Sequence, residues 1–475
     1  MKKYKILSPG FFTILMVLLA CKKYDQPYNY KKIDDIKIST SAVNNRFTVV
    51  INDTLKIEPV IAETNPSNDE FEYEWRLLEQ ITPKFWVISQ SKDLKAKIDI
   101  PAGSYYLGFK ITNKRTGQIF TYQGMVSVIS PFNAGYYVTS NVGNQGKLSF
   151  IRASDDMIFY SAPEEVNGNK TYPGKALFAD NSAATGTLVC YFTDQGIYRF
   201  TANDFLENGR DAQVMDGAKK FSRAPIAYGD GASAWEVFMM GDGDLHVGIG
   251  STMASFYGNN LLLAPFSARL VGDYSLYSGI FVTSSTTMFY DNKFKRFMYC
   301  PTQGRNLTIA PASLTSVFNA ADVKMTLISS DAGQATNEYY YLMENAAGVR
   351  YLLGTLNTTP NLYQIIGNSP DIGTATVIAA SKLVKHVYYA SANKLYVYDM
   401  LANSSRLVYT YPLGYVIKDM KMDRSTSKRL VLGVSKSASE GEVHYFDLDN
   451  LGAAVGNSPV KTFKGFGDIV SVNSR

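Results

Sequence analysis

The sequence contains little of the material from which most catalytic and metal sites are built. Its 475 residues include only three His, three Cys and three Trp. So few His and Cys leave little for a zinc site or a disulfide framework. Charged residues make up 19% of the chain, the formal net charge is +5 at pH 7, and no run of five basic residues occurs. The sequence therefore predicts no metal, no cofactor and no nucleic-acid partner.

The abundant residues are apolar and aromatic. Hydrophobic residues make up 46% of the chain, which excludes intrinsic disorder because such a chain can bury a core. Aromatic residues make up 13%, with 33 Tyr and 26 Phe. Tyr and Phe favour strands, so the composition predicts an all-β protein.

The N-terminus has the organisation of an export signal. Lysines 2, 3 and 5 precede an apolar run of ten residues, Phe11–Ala20. This run is too short to span a bilayer, which takes about 20 residues. It ends Leu18-Leu19-Ala20-Cys21, which resembles the lipobox of bacterial lipoproteins. We expect residues 1–20 to be a lipoprotein signal peptide and Cys21 to carry the lipid; the alternative is an ordinary signal peptide followed by a chance Cys.

Residues 21–32 are polar and Tyr-rich, which indicates a tether, and residues 33–130 have the periodicity of strands. Apolar side chains alternate with Glu and Arg through Phe71–Leu77, as in a strand with one buried face. Trp75 lies in the middle of that strand, where a core Trp would pack. About seven short strands in ~100 residues are typical of an immunoglobulin-like β-sandwich.

Five segments in this part of the chain resemble the PKD-like lipoproteins of Bacteroidota, whose sandwich is a PKD-type immunoglobulin-like domain. The segments are Asn29–Ile33, Asp53–Ile57, Tyr73–Trp75, Tyr105–Leu107 and Lys110–Asn113. The resemblance covers roughly residues 21 to 150. It implies an accessory role in nutrient uptake, beside a TonB-dependent outer-membrane transporter and its surface lipoprotein partner. The implied location is the outer membrane at the cell surface, with the periplasmic leaflet as the alternative.

Residues 134–475 contain a degenerate repeat. Strand-like starts recur at intervals of 42 to 53 residues, near Tyr136, Val189, Phe238, Met288, Tyr339, Tyr388 and Leu430. A period of ~40–50 residues with several strands per unit is typical of a β-propeller with one sheet per blade. The seven units predict a propeller of about seven blades; the alternative is a second set of sandwiches.

The repeat also predicts the state of the cysteines. Cys190 falls in the second unit and Cys300 in the fourth, with a whole unit between them. Because a disulfide requires Cα atoms within ~7 Å, we expect two buried thiols rather than a bridge.

Motifs that suggest chemistry are better interpreted as structure. Asp242–His246 has alternating acids but no bidentate Glu at the twelfth position, Gly146-Lys147 lacks the rest of a phosphate-binding loop, and Ser425–Lys428 lies in a polar turn. We interpret all three as turns. His386 and His444 lie in apolar strands, where a structural role is the simpler hypothesis. No catalytic residue is predicted.

The remaining candidates for a binding site are aromatic. The segment 251–279, rich in Ser, Gly, Asn and Tyr, is predicted to be a long excursion between blades. Its Tyr257, Tyr274 and Tyr277, together with Trp235, would form a platform on which a ligand stacks. The alternative is that each ring packs in its own blade.

These features predict a lipid-anchored, non-catalytic, two-domain protein that binds a glycan, a peptide or a metal chelate. A propeller hydrolase or lyase that uses channel carboxylates is one alternative, and a structural or adhesive surface protein is another.

Overall fold

The computed structural model describes most of the chain from residue 35 onward. The described ranges are 35–64, 68–81, 83–181, 188–214, 228–230, 236–241, 244–249, 267–270, 274–277, 279–301, 307–313, 315–423 and 425–475. The chain divides into two compact units, Met1–Ile129 and Ser130–Arg475. The predicted boundary between residues 130 and 134 lies within a few positions of this division.

The described part of the first unit contains nine strands rather than about seven. They are β1 (Ile36–Ser39), β2 (Arg46–Val50), β3 (Thr54–Ile57), β4 (Val60–Glu63), β5 (Phe71–Glu79), β6 (Phe85–Ser89), β7 (Leu94–Lys97), β8 (Gly103–Asn113) and β9 (Ile119–Ile129). Five of them form one sheet in the order β2-β9-β8-β5-β6, while β1 pairs with β4 and β3 with β7. The β2–β9 pair is parallel, and the other pairs are antiparallel.

The core of the first unit lies between the five-stranded sheet and the two short pairs. Trp75 on β5 is fully buried, as predicted, and its ring stacks on Phe109 of β8 with centroids 4.0 Å apart. The indole Nε1 donates hydrogen bonds to the carbonyl oxygens of Ser91 and Lys92, at 3.1 and 3.2 Å. Leu55 and Ile57, two positions apart on β3, belong to the same apolar cluster, so both side chains lie on the buried face of this strand.

The second unit consists of seven four-stranded sheets in the part of the chain described, and we call them blades 1 to 7 in chain order. Blade 1 contains β10 (Gly135–Val142), β11 (Gln145–Arg152), β12 (Ile158–Phe159) and β37 (Asp468–Ser474); blade 2, β13 (Ala176–Asn181), β14 (Leu188–Thr193), β15 (Ile197–Thr201) and β16 (Glu207–Arg210); blade 3, β17 (Tyr228–Asp230), β18 (Glu236–Gly241), β19 (Asp244–Ile249) and β20 (Ser267–Leu270); blade 4, β21 (Phe281–Val282), β22 (Thr286–Asp291), β23 (Arg296–Pro301) and β24 (Thr308–Ile309).

The last three blades follow the same order. Blade 5 contains β25 (Thr326–Ala332), β26 (Glu338–Glu344), β27 (Arg350–Leu356) and β28 (Thr359–Ile365); blade 6, β29 (Val377–Ala380), β30 (His386–Ser391), β31 (Lys394–Asp399) and β32 (Ser404–Thr410); blade 7, β33 (Val416–Met422), β34 (Arg429–Ser437), β35 (Glu440–Asp447) and β36 (Lys461–Phe466). One short helix, Ala162–Val166, and the 3₁₀ turns Val43–Asn45, Asp211–Gln213, Ile372–Thr374 and Val455–Asn457 complete the described elements.

Blade 1 is built from both ends of the second unit. Its order is β12-β11-β10-β37, so the C-terminal strand pairs with β10. In blades 2 to 7 the first strand of each sheet occupies the position that β37 has in blade 1. The strands in this position contact their neighbours from blade to blade: β25 contacts β29, β29 contacts β33, β33 contacts β37 and β37 contacts β13. We call them the inner strands, and β37 completes their arrangement.

Apolar clusters lie between neighbouring blades rather than inside one blade. One cluster joins blades 1 and 2, another joins blades 6 and 7, and a third joins blade 7 to blade 1. In the last, Ile469 and Val472 of β37 pack with Val431 and Val443 of blade 7. Radial packing of this kind defines a β-propeller. The predicted fold class, a PKD-type sandwich followed by a propeller of about seven blades, is confirmed.

Two details of the propeller bear on the sequence predictions. Cys190 lies in blade 2 and Cys300 in blade 4; both are buried thiols, and no disulfide joins them. The segment 251–279 is not irregular throughout, because it contains β20, the outer strand of blade 3. The Ser- and Gly-rich residues on either side of β20 hid its strand-like pattern in the sequence.

The described residues include no helix of the length and apolarity that crossing a bilayer requires.

Candidate functional site

The inner strands enclose a cavity of about 600 Å³ on the axis of the propeller. This volume lies within the range of ligand pockets, ~300–1,000 Å³. Its wall comes from the inner strands of blades 1, 2, 4, 5, 6 and 7, together with residues just before β21. The polar side chains in the wall are Asp180, Tyr277, Ser329, Ser330, Asp331, Tyr339, Thr376, Lys418, Asp419, Lys421, Ser471 and Asn473.

Three carboxylates in this wall come from three different blades: Asp180 from β13, Asp331 from β25 and Asp419 from β33. Each accepts a hydrogen bond from the backbone N–H of the residue that follows it, at 2.8 to 2.9 Å. The second oxygen of Asp331 accepts the N–H of Ala380 on β29 at 2.7 Å, and that of Asp419 accepts the N–H of Val472 on β37 at 2.8 Å. Asp331 and Asp419 therefore fasten one inner strand to the next.

Two lysines of β33 compensate part of this negative charge. Lys421 Nζ lies 3.6 Å from Asp419 Oδ1, and its side chain is 40% exposed, so water in the cavity reaches it. The charge of Asp419 raises the pKa of Lys421, with smaller contributions from Asp331 and Asp180. Lys421 is thus an ammonium group at neutral pH. Lys418 Nζ pairs with Asp468 Oδ1 at 2.9 Å.

Tyr277 is the aromatic ring that the sequence predicted and that the structure brings to the cavity wall. It also packs against the apolar cluster between blades 4 and 5. Burial raises the pKa of its phenol, and the side chain of Ser330 offsets part of that rise. A neutral phenol and a hydroxyl at the wall can both donate and accept hydrogen bonds to a ligand.

The structure places the other predicted site residues elsewhere. Tyr274 packs with Leu276, Phe289 and Met298 between blades 3 and 4, which fits the packing alternative for this ring. Trp235 and Tyr257 lie outside the described residues, as does Cys21. The predicted stacking platform and the lipid on Cys21 therefore stay predictions.

The charged part of the wall, Lys421 and the three Asp residues, was not predicted from the sequence. A signal was present: an Asp occurs in the first strand of four of the repeated units, among them those of Asp180, Asp331 and Asp419. Aligning the units by their hairpins would have placed Asp180, Asp331 and Asp419 in corresponding strands. The sequence of one unit does not show which strands face each other across the cavity. It therefore does not show that these carboxylates share the cavity with Lys421.

Of the three motifs interpreted as turns, Ser425–Lys428 lies in a turn, whereas Gly146-Lys147 lies in strand β11, next to the turn of its hairpin, and Asp242-Gly243 lies outside the described residues. Gly241 pairs with Asp244 across the β18–β19 hairpin, and Val142 pairs with Gln145 across the β10–β11 hairpin. Ser425 and Thr426 donate hydrogen bonds to the carboxylate of Asp423. Among the described residues, no group of three or more His, Cys, Asp or Glu side chains could hold a metal ion.

Both strand histidines are packed into the propeller. His444 is buried, with Nδ1 2.9 Å from Tyr411 Oη and Nε2 2.7 Å from Glu442 Oε2. His386 Nε2 lies 3.7 Å from Asp399 Oδ2. Burial lowers the pKa of both imidazoles. Neither residue lines the cavity, in agreement with the structural role predicted for them.

The fold and the cavity define the protein as a PKD-type sandwich joined in sequence to a seven-bladed propeller with a polar site on its axis. Residues 25–174 match the model of the PKD-like family. The match covers the sandwich and strands β10 to β12 of blade 1, which extends past the segment that carried the resemblance in the sequence. The resemblance to this family is confirmed over these residues.

Two solved structures with propeller-like folds are similar to large parts of the chain. A quinonprotein alcohol dehydrogenase-like protein from Bacteroides thetaiotaomicron is 12% identical, with 91% of this chain and 96% of that chain covered and a TM-score of 0.47. The periplasmic gluconolactonase of Pseudomonas aeruginosa is 9% identical, with 72% and 98% covered and a TM-score of 0.46. At these scores neither carries an argument about function. None of the curated proteins compared with the chain matches it.

Proposed function

We propose that this protein is a lipid-anchored binding protein that holds a small polar ligand in the axial cavity, as an accessory component of a TonB-dependent nutrient-uptake system at the outer membrane. The cavity carries the proposal: side chains from six blades converge on a space large enough for a sugar or a short peptide. The resemblance to PKD-like lipoproteins supports the membrane anchor at Cys21 and the transporter partner.

The chemistry of the wall suits a ligand with both hydrogen-bond donors and acceptors. Lys421 offers an ammonium group, Tyr277 and Ser330 offer hydroxyls, and the three Asp residues offer carboxylate oxygens. Sugar hydroxyls and the amide, amine and carboxylate groups of a short peptide can pair with such a set. A glycan or a peptide is therefore the ligand class that we propose, ahead of a metal chelate.

Binding is favoured over catalysis because of how the carboxylates are engaged. A general acid or base must exchange a proton with its substrate. Both oxygens of Asp331 and of Asp419 accept backbone N–H groups at 2.7 to 2.9 Å. Protonating either carboxylate would break bonds that fasten neighbouring inner strands. These groups are thus suited to shaping a wall and setting its charge.

The test is a binding screen of the mature chain without lipid against sugars, oligosaccharides and short peptides, by thermal shift and then by calorimetry. For a ligand that binds, Lys421→Met and Tyr277→Phe should each weaken the affinity about tenfold, the loss expected when a hydrogen bond to a charged or buried group is removed. Lys436→Met makes the same chemical change at an exposed lysine of the β34–β35 hairpin and should leave the affinity unchanged.

Two outcomes would contradict the proposal. If neither Lys421→Met nor Tyr277→Phe changes the affinity, the ligand binds outside the axial cavity. Conversion of a sugar or peptide into product, lost in an Asp331→Asn or Asp419→Asn variant that still folds, would favour the alternative of a hydrolase or lyase.

A further inference from the structure

The turn between β5 and β6 exposes an unusual amount of apolar surface for a small sandwich. Ile81, in that turn, is 97% exposed. Phe85 and Val87 on β6 and Tyr106 on β8 are 49%, 45% and 51% exposed. Single exposed apolar residues are ordinary, whereas a group of them on one surface indicates an interaction site.

Strand register places Leu78, Phe85 and Tyr106 next to one another on one face of the sheet, and Ile81 lies in the turn that follows β5. Leu78 on β5 is opposite Phe85 on one side and Tyr106 on the other. Trp75 and Leu77 of the same strand are buried in the core, so Leu78 lies on the opposite face of the sheet. The hairpin patch is defined as Leu78, Ile81, Phe85, Val87 and Tyr106.

Basic groups accompany the patch. The Arg76 guanidinium lies 4.7 Å from the centroid of the Phe85 ring, and Lys84 Nζ lies 4.6 Å from that of Trp86. Arg76 forms an ion pair with Glu74, which leaves Lys84, exposed in the turn, as the cation nearest to Ile81 in sequence. An exposed aliphatic tip with flanking aromatic rings and a lysine is the composition that favours the interface between lipid headgroups and acyl chains.

The chain before the sandwich keeps this unit close to a bilayer if Cys21 carries a lipid. Asp35, the first described residue, is fourteen positions after Cys21. Even a fully extended segment of that length spans only about 50 Å. Surface groups of the sandwich would thus meet the membrane at high local concentration, which makes a weak apolar contact effective.

We propose that the hairpin patch is a membrane-contact surface, which inserts Ile81 and Phe85 at the headgroup level and so adds a protein contact to the attachment made by the lipid on Cys21. This proposal rests on the lipid anchor for its location but not on the axial cavity or its ligand.

The experiment uses the mature chain with Cys21→Ser, so that no acyl chain contributes, and vesicles of phosphatidylethanolamine and phosphatidylglycerol. Co-sedimentation should detect binding of this chain, and Ile81→Asp or Phe85→Asp should lower the partition coefficient about tenfold. Ile119→Asp is the matched control: Ile119 is 56% exposed and begins β9, about 20 Å along the strand from the residue opposite Tyr106. Thermal unfolding of each variant shows that the sandwich is intact.

Three results would overturn the proposal. The chain could fail to bind vesicles, or Ile119→Asp could lower binding as much as Ile81→Asp does. In the third, the chain self-associates in sedimentation velocity without vesicles and Ile81→Asp abolishes that association, which would make the patch an interface between copies. None of these results bears on ligand binding in the axial cavity.

Discussion

The two units bury different kinds of side chain. In the first unit, Asn113 is the only polar side chain that is buried among the described residues, and the core is one apolar cluster around Trp75. The propeller buries many polar groups between its blades, among them Arg199, Glu338 and His444. A two-layer sandwich holds its sheets together by one shared apolar core. A propeller presents seven sheets to one another and also uses directional hydrogen bonds, such as those of Asp331 and Asp419, to align them.

The units also differ in how a local change spreads. Removing a side chain from the sandwich core should destabilise the whole unit, because every strand contributes to one cluster. In the propeller each cluster involves two neighbouring blades, and the ring depends on the strand pair that closes it. Three experiments would break or sharpen this comparison.

The largest effect is expected from deleting residues 468–475, which removes β37. Blade 1 would lose its inner strand, and Ile469 and Val472 would leave the cluster between blades 7 and 1. Losing two such buried side chains costs at least ~4 kcal/mol before the strand pairing is counted, against a total stability of ~5–15 kcal/mol. We expect calorimetry to show no propeller transition and an unchanged sandwich transition.

Leu413→Ser, at a site that is 95% exposed, is the control for this deletion and should leave both transitions in place. A peptide of residues 461–475 added to the truncated chain should restore part of the propeller signal. A truncated chain that keeps its propeller transition would show that closure by β37 is dispensable.

Trp75→Ala should produce the converse result. The ring is fully buried and stacked on Phe109, so its removal should lower the free energy of unfolding of the sandwich by ~3–5 kcal/mol. The propeller transition should not move. Urea unfolding followed by far-ultraviolet circular dichroism measures both, and Val43→Ala, at an 80% exposed site of the same unit, is the control. An equal shift of both transitions would mean that the two units unfold as one.

The smallest expected effect tests the polar interior of the propeller. Burial lowers the pKa of His444 below its usual 6.5. As the pH falls below 6.5, the unfolded state binds a proton at His444 more readily than the folded state does. The free energy of unfolding therefore decreases, by up to ~1.4 kcal/mol per pH unit. His444→Gln should therefore lose less stability than the native chain between pH 7 and pH 5.

The stability difference between the native chain and His444→Gln should change little between pH 7 and pH 8, where the imidazole is mostly neutral in both states. That interval is the control for the pH experiment. Equal slopes below pH 6.5 in both chains would show that His444 titrates alike in the folded and unfolded states.

Much of the fold was predictable because its signals are local. Alternation through Phe71–Leu77 places Trp75 in a core whatever the partner sheet is, and the recurring hairpins indicated blades that the structure confirms. The spacing of Cys190 and Cys300 was enough to predict two thiols, since a whole blade separates them. Strand β20 was missed because a four-residue strand within a polar segment has too short a pattern to recognise.

The candidate site was predictable only in part. Tyr277 was identified from its type and position, whereas Lys421, Asp331 and Asp419 were not, because their importance depends on which strands lie beside them. Alternation of apolar and polar residues indicates which side chains share one face of a sheet. It does not state whether a strand is the inner one of its blade, or what faces it across the axis.

The amino-acid sequence by itself determined the class of the protein: all-β, with a sandwich that buries Trp75 and about seven repeated sheets after it. These follow from side-chain alternation and chain spacing, which are properties of each segment alone. Only the tertiary structure decided that β37 pairs with β10, that the inner strands enclose a cavity, and that this cavity brings Lys421 together with carboxylates from three blades in one wall. Such contacts join residues hundreds of positions apart, so they exist only once the blades are arranged around a common axis.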